Sequence, residues 1–410
     1  MEGCLAGILT ASAGGGRPDG SLTKSPGLCY TARMERLTYT LMNRETPLCD
    51  FIIEGEGELE LCKITKERGK LPFWCEDVDS WAANRSAAKH REHVNKILEM
   101  CGGKTKSGFI ALTHCLSLTD TLWVKSDRED VSWTQVNLYE NNFDEVVSKL
   151  SFDGNGLFGI QMSTTSPELT TDGAYDKCWL NEADGIHLIK TGSEGGRNTG
   201  LEPYGEVLAS QVFERLCDSV TYTLRKYDGR VVSDCKLFTS QEFGYRPIAL
   251  FYKDKLTLPR LIEIYREAGC EDAFRRMVVA DCITLNCDRH FGNFGFLVNN
   301  ETFERGVLNP CFDFNMAFVP FAEEGFDFGK PELDFDGYLS QRGPVIGSDY
   351  VAPARAILTP EIRKCVEEIR EIALTVPCDR KFTEKRLAQM NMIKNVQCER
   401  ILGFDARWEF

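Results

Sequence analysis

Asn286-Cys287-Asp288-Arg289-His290-Phe291-Gly292-Asn293-Phe294-Gly295-Phe296-Leu297-Val298 runs from the end of an apolar helical pattern into an apolar strand. Asn299-Asn300 then supplies a turn, residues 301–308 return, and a second acid stands at Asp313 in Cys311-Phe312-Asp313-Phe314. Asp and Asn are common in loops because they cap and turn chains, so Asp-x-x-x-x-Asn alone is a weak signal. The same spacing between a buried helix and a hairpin, with an acid beyond, is far harder to reach by chance. Phosphoryl transfer needs a group that orients the incoming hydroxyl, and carboxylate and amide oxygens for magnesium. Asp288 and Asn293 meet the first need and part of the second, and the hairpin brings Asp313 back beside them.

Working outward, the chain beyond Thr257 reads as helical. Thr257 and Pro259 start a helix over Pro259–Ala268. Glu271–Leu285 carries Phe274, Met277, Val278 and Cys282 at helical spacing, Thr359-Pro360 caps a helix through Ala373, and Thr383–Leu402 forms the last. Residues 151–255 read as strand-rich. Ile186–Lys190 is a short strand ending in a lysine, a Gly-rich loop over 192–200 follows, and a helix spans Tyr204–Cys217. Short strands lie around Val231-Val232 and Lys236-Leu237-Phe238. Residues 34–150 mix strands (Asp50–Ile53, Leu59–Ile64, Leu122–Lys125, Val136–Tyr139) with a helix over Ala87–Met100. Residues 1–33 are rich in Gly, Ser, Thr and Pro with no apolar periodicity, which predicts a disordered leader. The expected class is α+β: an accessory domain over 34–150, a strand-rich lobe over 151–255 and a helical lobe over 256–410, with a cleft between the lobes.

Composition narrows the function classes. At 410 residues, 42% hydrophobic and 27% charged, the chain has ordinary globular composition. Its formal charge of −14 disfavours broad affinity for phosphate backbones, so direct nucleic-acid binding is not expected. No apolar run is long enough for a membrane helix, and no basic start, apolar core and cleavage site reads as a secretory signal. The 17 cysteines are odd in number and contain no Cys-x-x-Cys pair, which fits reduced, mostly buried thiols in a cytoplasm.

The spacing Asp-x-x-x-x-Asn resembles the catalytic loop of protein kinases, and Asp-Arg-His-x-x-Asn looks like the loop of phosphatidylinositol kinases. The fuller Asn-x-Asp-x-His-x-x-Asn is similar to the HipA-like bacterial Ser/Thr kinases. Gly173-Ala174-Tyr175-Asp176-Lys177-Cys178-Trp179-Leu180 and Ile186–Lys190 resemble the phosphate-loop region and lysine strand of those proteins. Leu71-Pro72, Trp81 with Arg85, and Asp120–Lys125 resemble their leading part, so the likeness runs from about residue 48 to about residue 375.

That resemblance implies a bilobal protein-kinase-like fold and an ATP- and Mg2+-dependent kinase. Asp288 would be the catalytic base, Asn293 and Asp313 would hold magnesium, and Asn286 and His290 would shape the loop. Lys190, held by Glu206, would meet the ATP phosphates, with Lys177 the competing lysine and Gly173 in the phosphate loop. Thr170 or Thr171, just before that loop, matches a residue that such kinases autophosphorylate. A protein substrate and a small antitoxin partner are also implied. The chain departs from protein kinases in lacking a Gly-x-Gly-x-x-Gly loop and in following Asp313 with Phe-Asn. A lipid or small-molecule kinase of the same fold, or a nucleotide-binding pseudokinase serving as a scaffold, are the alternative readings.

Overall fold

The computed structural model describes residues 37–85, 92–153, 166–171, 175–195, 199–320 and 334–408. The leader and Gly173 lie outside the described residues.

Strands β1 (Thr38–Asn43), β2 (Thr46–Glu54), β3 (Leu61–Glu67) and β4 (Leu122–Ser126) form an antiparallel sheet in the order β3-β2-β1-β4. Helices α1 (Val78–Ala83), α2 (Glu92–Met100) and α3 (Lys106–Thr113) lie between β3 and β4 in the chain. Tyr39 and Phe51 from the sheet pack with Trp81, Ile97 and Phe109 from these helices. Removing such side chains from water stabilises the unit by about 1.5–3 kcal/mol each.

Val136–Tyr139, expected as a strand, is not one. Trp133–Val136 is a helical turn, α4, started where the Ser132 N–H donates to Gln135 Oε1 at 2.8 Å. Fully buried Asn137 then takes the N–H groups of Tyr139 and Glu140 on its amide oxygen, at 3.0 and 2.9 Å. Val136, Asn137 and Leu138 are all buried, so the apparent alternation was turn chemistry inside a core. Helix α5 (Glu145–Asp153) follows.

A second antiparallel sheet, β5 (Lys177–Glu182), β6 (Gly185–Lys190), β7 (Tyr222–Tyr227) and β8 (Arg230–Lys236), is ordered β5-β6-β8-β7. β8 is one strand where two short ones were expected, and Leu237 and Phe238 fall beyond its end. Helix α6 (Glu202–Leu216) connects β6 to β7 and is buried over most of its length.

The rest is mainly helical: α7 (Ile248–Phe251), α8 (Leu258–Glu267), α9 (Glu271–Thr284), α10 (Phe335–Ser340), α11 (Ala352–Ala356), α12 (Pro360–Glu371) and α13 (Glu384–Leu402). A small sheet of β9 (Phe243–Pro247), β10 (Gly295–Asn299) and β11 (Arg305–Leu308) is ordered β11-β10-β9. Thr359 and Thr383 cap α12 and α13 by accepting the N–H groups of Ile362 and Arg386. Phe274, Met277, Val278 and Cys282 of α9 all face the core, and Tyr265 of α8 stacks on Phe274 with ring centres 4.6 Å apart. The α+β class and the order of strand-rich and helical parts agree with the expectation.

The first sheet is tied to the rest through charge. Asp120 is buried between Arg246 of β9 and Arg85, whose Nη2 lies 2.6 Å from the carboxylate. Each guanidinium also sits over an indole, Arg85 on Trp81 and Arg246 on Trp74. Asn43 adds a 2.7 Å hydrogen bond from its side-chain amide to the Asn300 carbonyl. Trp81, Arg85 and Asp120 are therefore framework here. Cysteines of the described residues are free thiols, most of them buried, and burial pushes those of Cys115 and Cys235 up to about 12. Among the described residues no helix is long and apolar enough to cross a membrane.

Candidate active site

The loop after α9 is shaped by a buried acid. Leu285 closes α9 in the left-handed region at φ 52°, a conformation that costs an L residue about 1–2 kcal/mol. Asn286, fully buried, donates from its side-chain amide to Asp281 Oδ1 at 2.7 Å and accepts the Asp288 N–H at 3.2 Å. Asp288 is half-buried at the turn. His290 is exposed, and its Nδ1 accepts the Gly292 N–H at 3.0 Å. A Cβ on Gly292 would lie 2.8 Å from the exposed His290 ring, which would have to turn aside. Asn293 is buried, and its side-chain NH2 donates to the Asp288 carbonyl at 3.0 Å. The Asn293 amide oxygen is thereby left as the atom that would face a cation. Gly295 begins β10 against β9 so closely that a Cβ would fall 2.1 Å from the Arg246 carbonyl.

Asp313 returns at the far end of the hairpin. The Cys311 N–H donates to the Asp218 carbonyl, and the Cys311 carbonyl accepts the Val220 N–H, both at 2.9 Å. Asp313 itself is left-handed at φ 59°, and its N–H donates to the Tyr222 hydroxyl at 3.1 Å. Phe314 is locked by stacking on Phe213 of α6 at 4.2 Å.

The second sheet delivers a lysine to this acid. Lys190 Nζ lies 2.6 Å from Asp313 Oδ1 and 2.6 Å from Glu206 Oε1. The other Glu206 oxygen accepts from the Ser233 hydroxyl. Burial works against the Lys190 ammonium, but Asp313 and Glu206 more than offset it and hold its pKa above the ordinary lysine value. Burial raises Glu206, which is enclosed. For Asp313 burial is outweighed by Lys190, and its carboxyl sits below the ordinary range. Burial raises Asp288, helped by the Asp313 charge and opposed by His290. The Asp313 and Asp288 carboxylates and the Asn293 amide oxygen are oxygen donors of the kind magnesium takes, while both Glu206 oxygens are engaged by Lys190 and Ser233. The residues fit that ion.

The other expected residues are distributed as follows. Lys177 is buried and pairs across the strands with Lys190, and its charge also acts on Asp313. Thr170 and Thr171 close a 3-10 turn, Pro167–Thr170, and both hydroxyls donate to the Pro167 carbonyl. Thr171 Oγ1 also accepts the Trp179 indole N–H at 2.9 Å. A different acidic group, Glu182, Asp184 and His187, brings its ligand atoms within 4.8 Å of one another. Its members are already paired with Arg225, Lys236 and Asp234 respectively. His187 and Lys190 stand three apart on β6, hence on opposite faces of the sheet.

Asp281, Arg289, Tyr222 and Ser233 were not singled out in the sequence. Arg289 is almost wholly buried and forms a salt bridge to Asp281 at 3.0 Å. The signal for Asp281 was an acid inside the apolar stretch Met277–Thr284, where a charge needs a partner.

No family model matches the chain, and no curated protein matches it. Among solved structures the chain is similar to the proinflammatory kinase CtkA of Helicobacter pylori. That match has 16% identity over 55% of this chain and 91% of that one, with a TM-score of 0.40. It is also similar to a chain of the Shewanella oneidensis MR-1 toxin–antitoxin complex of HipA, HipB and operator DNA. There the identity is 13% over 89% of this chain and 98% of that one, with a TM-score of 0.49.

Proposed function

We propose that this chain is an ATP- and Mg2+-dependent phosphotransferase that acts on protein serine or threonine hydroxyls, a HipA-like kinase. The observation that carries the proposal is Lys190 Nζ held between Glu206 and Asp313, the acid that follows the Asn286–Asn293 loop and its hairpin in the chain. Lys190 is the cation for the ATP phosphates, and Glu206 holds it in place. Asp288 stands half-buried at the loop, where it orients the incoming hydroxyl and accepts its proton. Asn293 and Asp313 would hold Mg2+, which when bound supplies charge neutralisation at the phosphates. Burial of Asp288 makes it a stronger base than a solvated aspartate, which suits proton acceptance near neutral pH. Asn286 and His290 hold the loop by accepting the N–H groups of Asp288 and Gly292.

The proposal extends to a domain division at about residues 150 and 255, to regulation through Thr170 or Thr171, and, by the sequence resemblance, to a small antitoxin partner. Incubation with γ-labelled ATP, magnesium and a cell lysate tests it. Label on the chain or on lysate proteins, absent with Asp288→Asn, supports the proposal, and no transfer under any condition removes it.

A further inference from the structure

Arg289 stands between the two residues proposed to hold the metal. Its Nη1 donates to the Asn293 carbonyl at 3.0 Å and to the Phe312 carbonyl at 2.7 Å. One carbonyl belongs to Asn293 itself and the other to the residue immediately before Asp313. Nε and Nη2 are taken by Asp281, with contacts of 3.0 to 3.3 Å. The Phe213 and Phe314 rings flank the guanidinium, each centred 5.6 Å away. The group is 1% exposed. It therefore has one orientation, anchored on α9 at one end and on two loops at the other.

We infer that Arg289 is a positioning residue that fixes the separation of the Asn293 and Asp313 oxygens, and so sets the affinity of the site for its divalent cation. The inference rests on the phosphotransferase reading. The β10–β11 hairpin brings the two loops side by side, but its pairing stops at Phe296 and Leu308, short of Asn293 and of left-handed Asp313, so strand pairing does not itself fix those two residues. A planar fork with several fixed donors can bridge an acid and two carbonyls at once, whereas a lysine offers one compact charge. Groups that orient metal ligands from behind commonly govern affinity by about 10- to 100-fold.

The test is Mn2+ binding followed by electron paramagnetic resonance, with a non-hydrolysable ATP analogue present, on the parent, Arg289→Lys and Asp281→Asn. Arg289→Lys should raise the Mn2+ Kd by about tenfold or more while metal-free nucleotide affinity stays within twofold. Asp281→Asn keeps acceptor and shape but loses the charge that aims Arg289, and should raise the Kd by about threefold, less than the roughly 10- to 100-fold that follows loss of the orienting group itself. Circular dichroism establishes that each variant is folded, and if Arg289→Lys is not, Asp281→Asn decides. Folded variants whose Mn2+ Kd equals that of the parent overturn the inference alone. A parent that binds neither Mn2+ nor the analogue overturns the phosphotransferase reading and the inference with it.

Discussion

Lys190 and Asp313 are 123 residues apart in the chain, and their side chains meet at 2.6 Å. That contact joins the second sheet to the loop beyond the β10–β11 hairpin, and Glu206 of α6 completes it from the other side. Charges this enclosed depend on one another: breaking such a set exposes whatever is left to a low-dielectric site.

Lys190→Met keeps the apolar stem and removes the ammonium, leaving two carboxylates facing each other. The expected loss of unfolding free energy is about 3–5 kcal/mol, read from urea denaturation with an unchanged slope. A loss below about 1 kcal/mol would show that the three charges are solvated in solution.

The pH dependence separates the two aspartates. Asp313 has a lowered pKa, so its stabilising contribution is present above the unfolded aspartate value and is lost as pH falls through the lower folded value. Asp288 has a raised pKa, so its ionised form costs stability above its folded value, and that cost disappears as pH falls below the unfolded one. Asp313→Asn should therefore destabilise at pH 7 and Asp288→Asn should stabilise, with both differences shrinking toward pH 3. Urea midpoints at the two pH values check this. Variants that shift in the same direction at pH 7 contradict the assignment.

Asp120 gives a test away from the proposed chemistry. Its carboxylate is 2% exposed and takes both Arg85 and Arg246, so Asp120→Ala strands two guanidinium groups. A loss of about 3–5 kcal/mol is expected. Thermal melting that separates into two transitions would add that this cluster couples the first sheet to the rest.

Thr170 and Thr171 differ in what modification must break. The Thr171 hydroxyl holds the Pro167 carbonyl at 2.6 Å and the Trp179 indole, whereas Thr170 makes one longer bond of 3.3 Å. Autophosphorylation should fall on Thr170 first, as seen by mass spectrometry after incubation with Mg-ATP. The added charge, about −1.5 to −2, should then lower activity in step with occupancy. Phosphate on Thr171 alone contradicts this order.

Much of the helical half was legible because its signals are local. Thr359 caps the helix it was expected to cap, the last helix begins one residue after the expected Thr383, which caps it, and the apolar spacing of Glu271–Leu285 matches a buried helix ending one residue earlier. Glu206 could be placed near Lys190 because a strand-ending lysine is followed by one long helix. Strands β1, β5, β7 and β9 were not anticipated. β9 pairs with β10 and β1 with β4, both far along the chain, whereas edge strand β7 pairs with the adjacent β8 and carries a polar run, Thr223 and Arg225-Lys226, that masks its alternation. Arg289 escaped for a related reason. Its neighbours in the motif carry the expected chemistry, while its own bonds run to Asp281 and Phe312, which no local pattern links.

The Asp288 carboxylate is the group on which the proposed phosphoryl transfer depends. Transfer of γ-labelled phosphate from Mg-ATP, measured beside nucleotide affinity for the parent and Asp288→Asn, tests it most directly. The predicted result is measurable transfer by the parent, a loss of at least about 100-fold in the variant, and nucleotide affinity within about threefold, as expected for loss of a proton acceptor. A parent that binds nucleotide without transferring phosphate, or a variant retaining a third or more of the parent's rate, contradicts it.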